Sequence, residues 1–238
     1  NGLLGKYIAF HNYRATINAE FDGYPEYTTE GAKPTSHYVP RFRNVYKQQT
    51  DFLRGYAAGF GASPVRETQR DGFGDALKSN LLQTKENGLW RVNSHMMGET
   101  IPKETNQVSL DDEKTDAWGI PQLNIDVDYD DNDEKMIQDF FEQFTEMYTK
   151  AGFSNIRIHD NKRRPGNDIH EMGGVRMGKD PKTSLLNKWN QLHECKNVFV
   201  TDGACMTSTS TQNPSLTFMA ISARAANYAI EQMKKGEL

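Results

Sequence analysis

The sequence predicts an α+β fold, an antiparallel sheet backed by helices, and three observations carry that prediction. Residues 13–21 alternate without a break, with Tyr13, Ala15, Ile17, Ala19 and Phe21 set against Arg14, Thr16, Asn18 and Glu20. Successive side chains of a strand point to opposite faces, so a period of two marks a half-buried strand. Residues 122–129 repeat the pattern, with Leu123, Ile125, Val127 and Tyr129 opposed to Gln122, Asn124, Asp126 and Asp128. Over 132–151 the period changes, and Met136, Ile137, Phe140, Phe141, Phe144, Met147, Tyr148 and Ala151 fall on one helical face. One-sided alternation suits a sheet with one covered face, and this helix is the expected cover.

Weaker strand signals near 89–97, 107–110 and 155–159 bring the expected sheet to roughly five or six strands. Asp131 and Glu134 have capping-box spacing at the start of the long helix, and Gly152 stands where a C′ glycine belongs. The aromatic stripe between them reads as core. A second helix is expected around Val45–Ala58. Gly55, Gly59, Gly61, Gly72 and Gly74 suggest a loop, either a plain connection or the lip of a cleft. Val198-Phe199-Val200 reads as a strand buried on both faces, ending at Asp202-Gly203. A Ser/Thr-rich loop over 206–212 follows. Asn213 then serves as N-cap and Pro214 as first residue of a helix running to about Lys234. Ala220, Ala223, Ala226 and Ala229 predict that this helix packs closely against a neighbour.

The 238 residues are 36% hydrophobic and 25% charged, with a formal net charge of −4, as in a soluble globular chain. The short run Lys162-Arg163-Arg164 is the main concentration of positive charge, too little for a nucleic-acid partner. No apolar run is long enough for a transmembrane helix. Cys195 and Cys205 are read as free thiols. The chain begins at Asn1 without a methionine, in a segment that reads like the middle of a domain. A fragment is therefore expected, and the compartment stays open between cytoplasm and periplasm.

Two segments carry chemistry: His170-Glu171-Met172-Gly173-Gly174-Val175-Arg176-Met177-Gly178, and Asn197 through Asp202-Gly203 to Gln212-Asn213-Pro214-Ser215-Leu216-Thr217. A histidine, a glycine-rich Arg-Met-Gly turn, a strand ending in Asp-Gly and an Asn-Pro helix start resemble the C-terminal signature of glucose–methanol–choline (GMC) flavin oxidoreductases. His170 and Asn213 are 43 residues apart, close to that family's spacing. Gly2 through Tyr7 to His11 is similar to the family's exit from the flavin domain. Asn106–Leu110 and Asp116–Pro121 resemble its substrate-domain strands. The resemblance covers nearly the whole chain, weakly over about 20–100 and strongly after 165. Two departures stand out: Val175 replaces a threonine common in the turn, and the Gly-x-Gly-x-x-Gly dinucleotide fingerprint is absent.

The resemblance implies an incomplete FAD-binding α/β portion beside the sheet. Residues 1–12 would end the flavin-domain segment, 13–164 would form the substrate-binding domain, and 165–238 would be the C-terminal portion completing the flavin domain. It implies FAD-dependent oxidation of a CH–OH group with His170 and Asn213 as the catalytic pair. A histidine titrates near neutrality and suits a general base; an asparagine amide only donates and accepts hydrogen bonds, so Asn213 would orient the reacting hydroxyl. Asp202, Gly203, Asn213, Pro214 and Thr217 would bind FAD, the last three at a helix N-terminus whose dipole favours negative charge. This fragment alone is expected to hold FAD poorly and to be inactive.

A lone histidine is more often structural than catalytic, and the surrounding signature reverses that for His170 alone. His11, His37, His95, His159 and His193 lack metal-ligand spacing and read as surface or core residues. Arg176 is expected to pin the turn. Asp126, Asp128, Asp130 and Asp131 do not fit a calcium loop and read as a solvated strand end, so no metal is expected. The form of the signature favours a sugar or sugar derivative, with Trp90, Asn93, Tyr38 and Arg41 as polar or aromatic candidates for contact. The rivals are a choline- or aryl-alcohol-type member, which would need an aromatic cage for a quaternary ammonium, and a non-catalytic sugar-binding module. The electron acceptor, whether oxygen, a quinone or an electron-transfer partner subunit, leaves no trace in these residues.

Overall fold

The computed structural model describes residues 1–23, 37–67, 71–82, 85–166 and 169–238. The chain is α+β, with two antiparallel sheets and, among the described residues, three α-helices. The strands are β1 (Lys6–Ala9), β2 (His11–Asn12), β3 (Ala15–Asp22), β4 (His37–Val39), β5 (Tyr56–Glu67), β6 (Lys85–Glu99), β7 (Gln107–Thr115), β8 (Pro121–Asp126), β9 (Ser154–Asp160) and β10 (Met172–Gly174). The helices are α1 (Asp75–Leu82), α2 (Asp131–Lys150) and α3 (Ser215–Lys235). The larger sheet has the order β4-β5-β6-β3-β9, with β2 pairing β6 as well. The smaller sheet has the order β10-β1-β7-β8.

The alternation at 13–21 becomes β3, with Ala15, Ile17 and Ala19 buried beneath α2. Met136, Ile137, Phe140, Phe144 and Tyr148 press on them and on Tyr56, Ala58, Val92 and Met96. Phe140 and Phe144 stack at 4.3 Å, and Tyr56 meets Phe140 edge-on at 5.6 Å. The capping box of α2 lies one residue earlier than expected. Asp130, extended at φ −137, accepts from the Asn132 and Asp133 amides, and the Asp133 carboxylate accepts from the Asp130 amide. Glu134 is drawn away to the Arg14 guanidinium, which also holds Asp160. At the other end Gly152 takes φ +81, and the Phe153 amide reaches the Tyr148 carbonyl, closing the helix with a left-handed glycine.

Several expectations need correcting. The strand at 122–129 forms as β8 (Pro121–Asp126), but it is an edge strand of the smaller sheet, away from α2, and Leu123 and Ile125 stay exposed. The second helix around Val45–Ala58 is absent. Asn44 takes φ +51 and its side-chain amide donates to Thr50, Phe52 and Arg54, folding a compact loop, while Tyr56 onward pairs as β5. Of the glycine-rich stretch, residues 68–70 lie outside the described residues, and Gly59 and Gly61 are strand residues. A Cβ at Gly59 would lie 2.2 Å from the His95 ring across the ladder. Val198–Val200 makes an isolated bridge, Gln191 to Phe199, and no extended strand. α3 begins at Ser215 with Pro214 as its cap residue, and Ala220, Ala223 and Ala226 are exposed; of this helix only Ala225 is buried. Both cysteines are free thiols, Cys195 exposed and Cys205 buried. No helix is long and apolar enough to cross a membrane among the described residues.

Candidate active site

The site is assembled where β10, the turn after Asp202 and the start of α3 converge beside the larger sheet. Gly173 at φ +92 and Gly174 at φ +91 let β10 lie against β1. A Cβ at Gly173 would come within 2.1 Å of the Tyr7 carbonyl oxygen, so this glycine is required by close backbone approach. Arg176 stands over the Tyr7 ring at 3.7 Å and donates to the Thr183 carbonyl, which pins the turn. Val175 contributes its backbone amide to the Ala204 carbonyl, a bond that needs no hydroxyl side chain.

His170 precedes this strand in a left-handed conformation, φ +71, which is strained for a residue bearing a Cβ. Its Nε2 lies 3.5 Å from the Asn213 side-chain nitrogen. If the proton sits on Nδ1, Nε2 is a free lone pair that the Asn213 amide can donate to; this is the tautomer a base would use. Burial holds the His170 pKa below its ordinary value, against a weaker opposing pull from Glu171. The ring is therefore neutral near neutral pH.

Asn213 reaches this position because the loop before it is tied to the larger sheet. Ser208 donates to the Glu99 carboxylate, which is almost wholly buried and also ion-paired with Arg41 at 3.4 Å and Arg54 at 3.3 Å. Tyr38 donates to the Thr211 carbonyl at 3.1 Å. Tyr38 and Arg41, two of the candidates for sugar contact, are thus engaged in this anchorage, Tyr38 directly and Arg41 through Glu99. Trp90 falls on the α2 side of the sheet by strand alternation, and Asn93 on the opposite, open side.

Asp202 caps a short turn, Gly203–Cys205, by accepting from the Ala204 amide at 3.0 Å. A Cβ at Gly203 would come within 2.7 Å of the Glu171 carbonyl oxygen and 3.3 Å of the Phe218 ring, so Gly203 locks the turn against the residue after His170. A cavity of about 320 Å³ lies beside Asp202 and Gly203, lined also by Ile8, Val108 and Ile125. Pro214 has no N–H, and α3 has no side-chain cap, so its first amides are free for an electron-rich group. Thr217 is exposed in this first turn.

The chain thus brings His170, Asn213, Asp202, Gly203, Pro214 and Thr217 into one region. Sequence reasoning missed His11, which packs against His170, and Glu99, which anchors the Asn213 loop. Neither carries a local signal, since each gains its position through strand pairing between distant segments. His37 lies edge-on to Phe60, His193 is bonded to Ser184, and His159 is exposed on β9.

Comparison with known proteins adds an independent line. The GMC oxidoreductase family model matches residues 102–222. The chain is 30% identical to a 2-methyl-1,2-propanediol dehydrogenase of Mycolicibacterium austroafricanum, over 96% of this chain and 42% of that protein. It is 29% identical to the fructose dehydrogenase large subunit of Gluconobacter japonicus, over 78% of this chain and 35% of that protein. A paromamine 6'-oxidase of Streptomyces fradiae is 31% identical over 52% of this chain and 23% of its own length. The chain therefore spans less than half the length of these relatives.

Proposed function

The chain belongs to the GMC oxidoreductase family, and from that premise we propose that, in the full-length flavoprotein, it oxidises a CH–OH group of a sugar or sugar derivative, with His170 as general base and Asn213 orienting the hydroxyl. The observation that carries the reading is the approach of Asn213 to Nε2 of His170 across 43 residues of sequence. Proteins of this family bind FAD, and when bound it supplies the hydride acceptor. The residues present fit such a group. The uncapped start of α3, at Asn213, Pro214 and Thr217, favours negative charge, and Asp202 and Gly203 border the adjoining cavity.

The roles then divide by chemistry. Nε2 of His170 takes the hydroxyl proton as the neighbouring C–H bond is lost. Asn213 donates to or accepts from the same hydroxyl and holds its oxygen within reach of Nε2. Burial keeps His170 neutral, so activity is expected to fall on the acid side as the ring is protonated.

The sugar preference is supported by the open face of the larger sheet. There Asn18, Glu20, Arg91, Asn93, Arg157 and His159 line a concavity of about 560 Å³, with donors and acceptors suited to a polyhydroxylated ligand. The names of the fructose dehydrogenase and paromamine oxidase relatives point the same way. A small diol is the second reading, favoured by the propanediol dehydrogenase matched over nearly the whole chain. The large-subunit name of one relative supports assembly with a partner subunit.

The test uses the full-length gene product, with the flavin absorbance followed under anaerobic conditions as hexoses and 1,2-diols are added. Bleaching by a hexose, slowed by about 10²–10⁴-fold in His170→Ala, is the expected result. Faster bleaching by diols would move the substrate to the second reading. A full-length protein that binds no flavin would overturn the oxidoreductase reading in favour of a non-catalytic sugar-binding module.

A further inference from the structure

A buried histidine that the chemistry above does not use lies against the proposed base. His11, on β2, is 1% exposed, and among the described residues neither of its ring nitrogens has a partner at full hydrogen-bond geometry, the Gly98 backbone being the polar group beside it. Its ring meets that of His170 edge-on, with centroids 5.0 Å apart and an interplanar angle of 85°. Tyr13 packs on it edge-on at 5.4 Å. An imidazole carries an N–H and a lone pair, and burying both without partners is costly. An apolar side chain would fill the place without that cost, so core packing alone does not account for a histidine here.

His170 has the complementary need. A catalytic base is commonly oriented by a hydrogen bond to its second ring nitrogen. Here Nδ1 of His170 is buried and, among the described residues, has no hydrogen-bond partner. What packs against the ring is the edge-on imidazole of His11. We propose that His11 is a positioning residue for His170: its ring, fixed by the pairing of β2 with β6, sets the plane of the His170 imidazole so that Nε2 stays aimed at Asn213, and it shields the base from water.

The register of the larger sheet supports this. His11 pairs with Glu99, the residue whose carboxylate holds Ser208 of the Asn213 loop. One cross-strand pair therefore places both the ring packed against the base and the anchor of its partner. The titratable groups facing the two imidazoles are Glu171 beside His170 and Tyr13 beside His11, while Glu99 is committed to Arg41 and Arg54. Burial, and then the nearby His170, lower the His11 pKa to about 4, against a weaker opposing pull from the Gly98 backbone. His11 is thus neutral near neutral pH.

The inference rests on His170 being the base, and the experiment separates the two. In the full-length holoenzyme, substrate-driven flavin reduction is measured against pH for His11→Ala, His11→Phe, His11→Leu and His170→Ala. His11→Ala is expected to lower the limiting rate about 10-fold or more, as misplacement of a catalytic group does, with a much smaller change in substrate affinity. Its acid limb should move to higher pH, because water admitted beside His170 restores proton affinity. His11→Phe, which keeps a flat ring, should recover most of the rate and the original limb. If His11→Ala does not fold, His11→Phe against His11→Leu makes the same comparison, with the planar side chain the faster. A wild-type rate and limb in His11→Ala or His11→Leu would overturn the proposal, as would a His11→Phe as slow as His11→Ala. Rapid reduction in His170→Ala would sink the base assignment itself; loss there with normal His11 variants would sink this inference alone.

Discussion

The two long helices are nearly equal in length, 20 residues in α2 and 21 in α3, and they are packed very differently. α2 buries Met136, Ile137, Phe140, Phe141, Phe144 and Tyr148 against the larger sheet. α3 leaves Leu216 at 79%, Met219 at 69% and Met233 at 66% exposed. The helices differ in what lies beside them. β3, β5 and β6 supply a partner for α2 within this chain, whereas no described residue covers the outer face of α3 or of β8. Most helix stability in proteins comes from packing an apolar face. An apolar stripe in a sequence therefore announces that a face suits cover, and says nothing of where the cover is.

The largest expected effect tests that contrast directly. Phe140→Ala should lower the unfolding free energy of this chain by about 3–5 kcal/mol, and Leu216→Ala should change it by less than about 0.5 kcal/mol, both read from urea unfolding. Similar losses at the two positions would break the comparison.

A smaller effect comes from the buried start of α2. Burial raises the Asp133 pKa from 3.8 to about 7, and among the described residues its Oδ1 has no hydrogen-bond partner. Between roughly pH 4 and pH 7 the unfolded chain therefore ionises this group while the folded chain does not, so stability falls as pH rises through that window. Asp133→Asn should flatten this slope, a difference on the order of 2 kcal/mol between pH 5 and pH 8. Parallel pH dependences in the two proteins would show that Asp133 is not the source. The smallest effect should come from Glu99→Gln. It weakens the hold on Arg41 and Arg54, costs about 1–2 kcal/mol, and should speed amide hydrogen exchange over 206–213 while leaving the α2 core protected. Faster exchange in α2 as well would mean that loop and core unfold together.

The legible parts of the fold were those with a local cause. β3 and α2 follow from the periods of Ala15–Ala19 and Met136–Tyr148, and the end of α2 follows from Gly152. The cap shifted by one residue because Arg14, far away in sequence, competes for Glu134. The helix expected at Val45–Ala58 failed because propensity could not register that Ala57, Ala58 and Gly59 have ladder partners in β6. The second sheet was not anticipated either, since its strands β1, β7, β8 and β10 come from widely separated segments.

The sequence by itself determined the class of fold, the family signature and the identity of the two residues, His170 and Asn213, that the structure brings within 3.5 Å. These are legible because glycine turns, an Asn-Pro helix start and hydrophobic periods act over a few residues of chain. The tertiary structure alone decided which apolar faces find a partner, that Tyr38 and, through Glu99, Arg41 anchor a loop, and that His11 packs against His170. Those outcomes depend on strand register, which is fixed by the summed packing of whole faces, and no short stretch of sequence carries that sum.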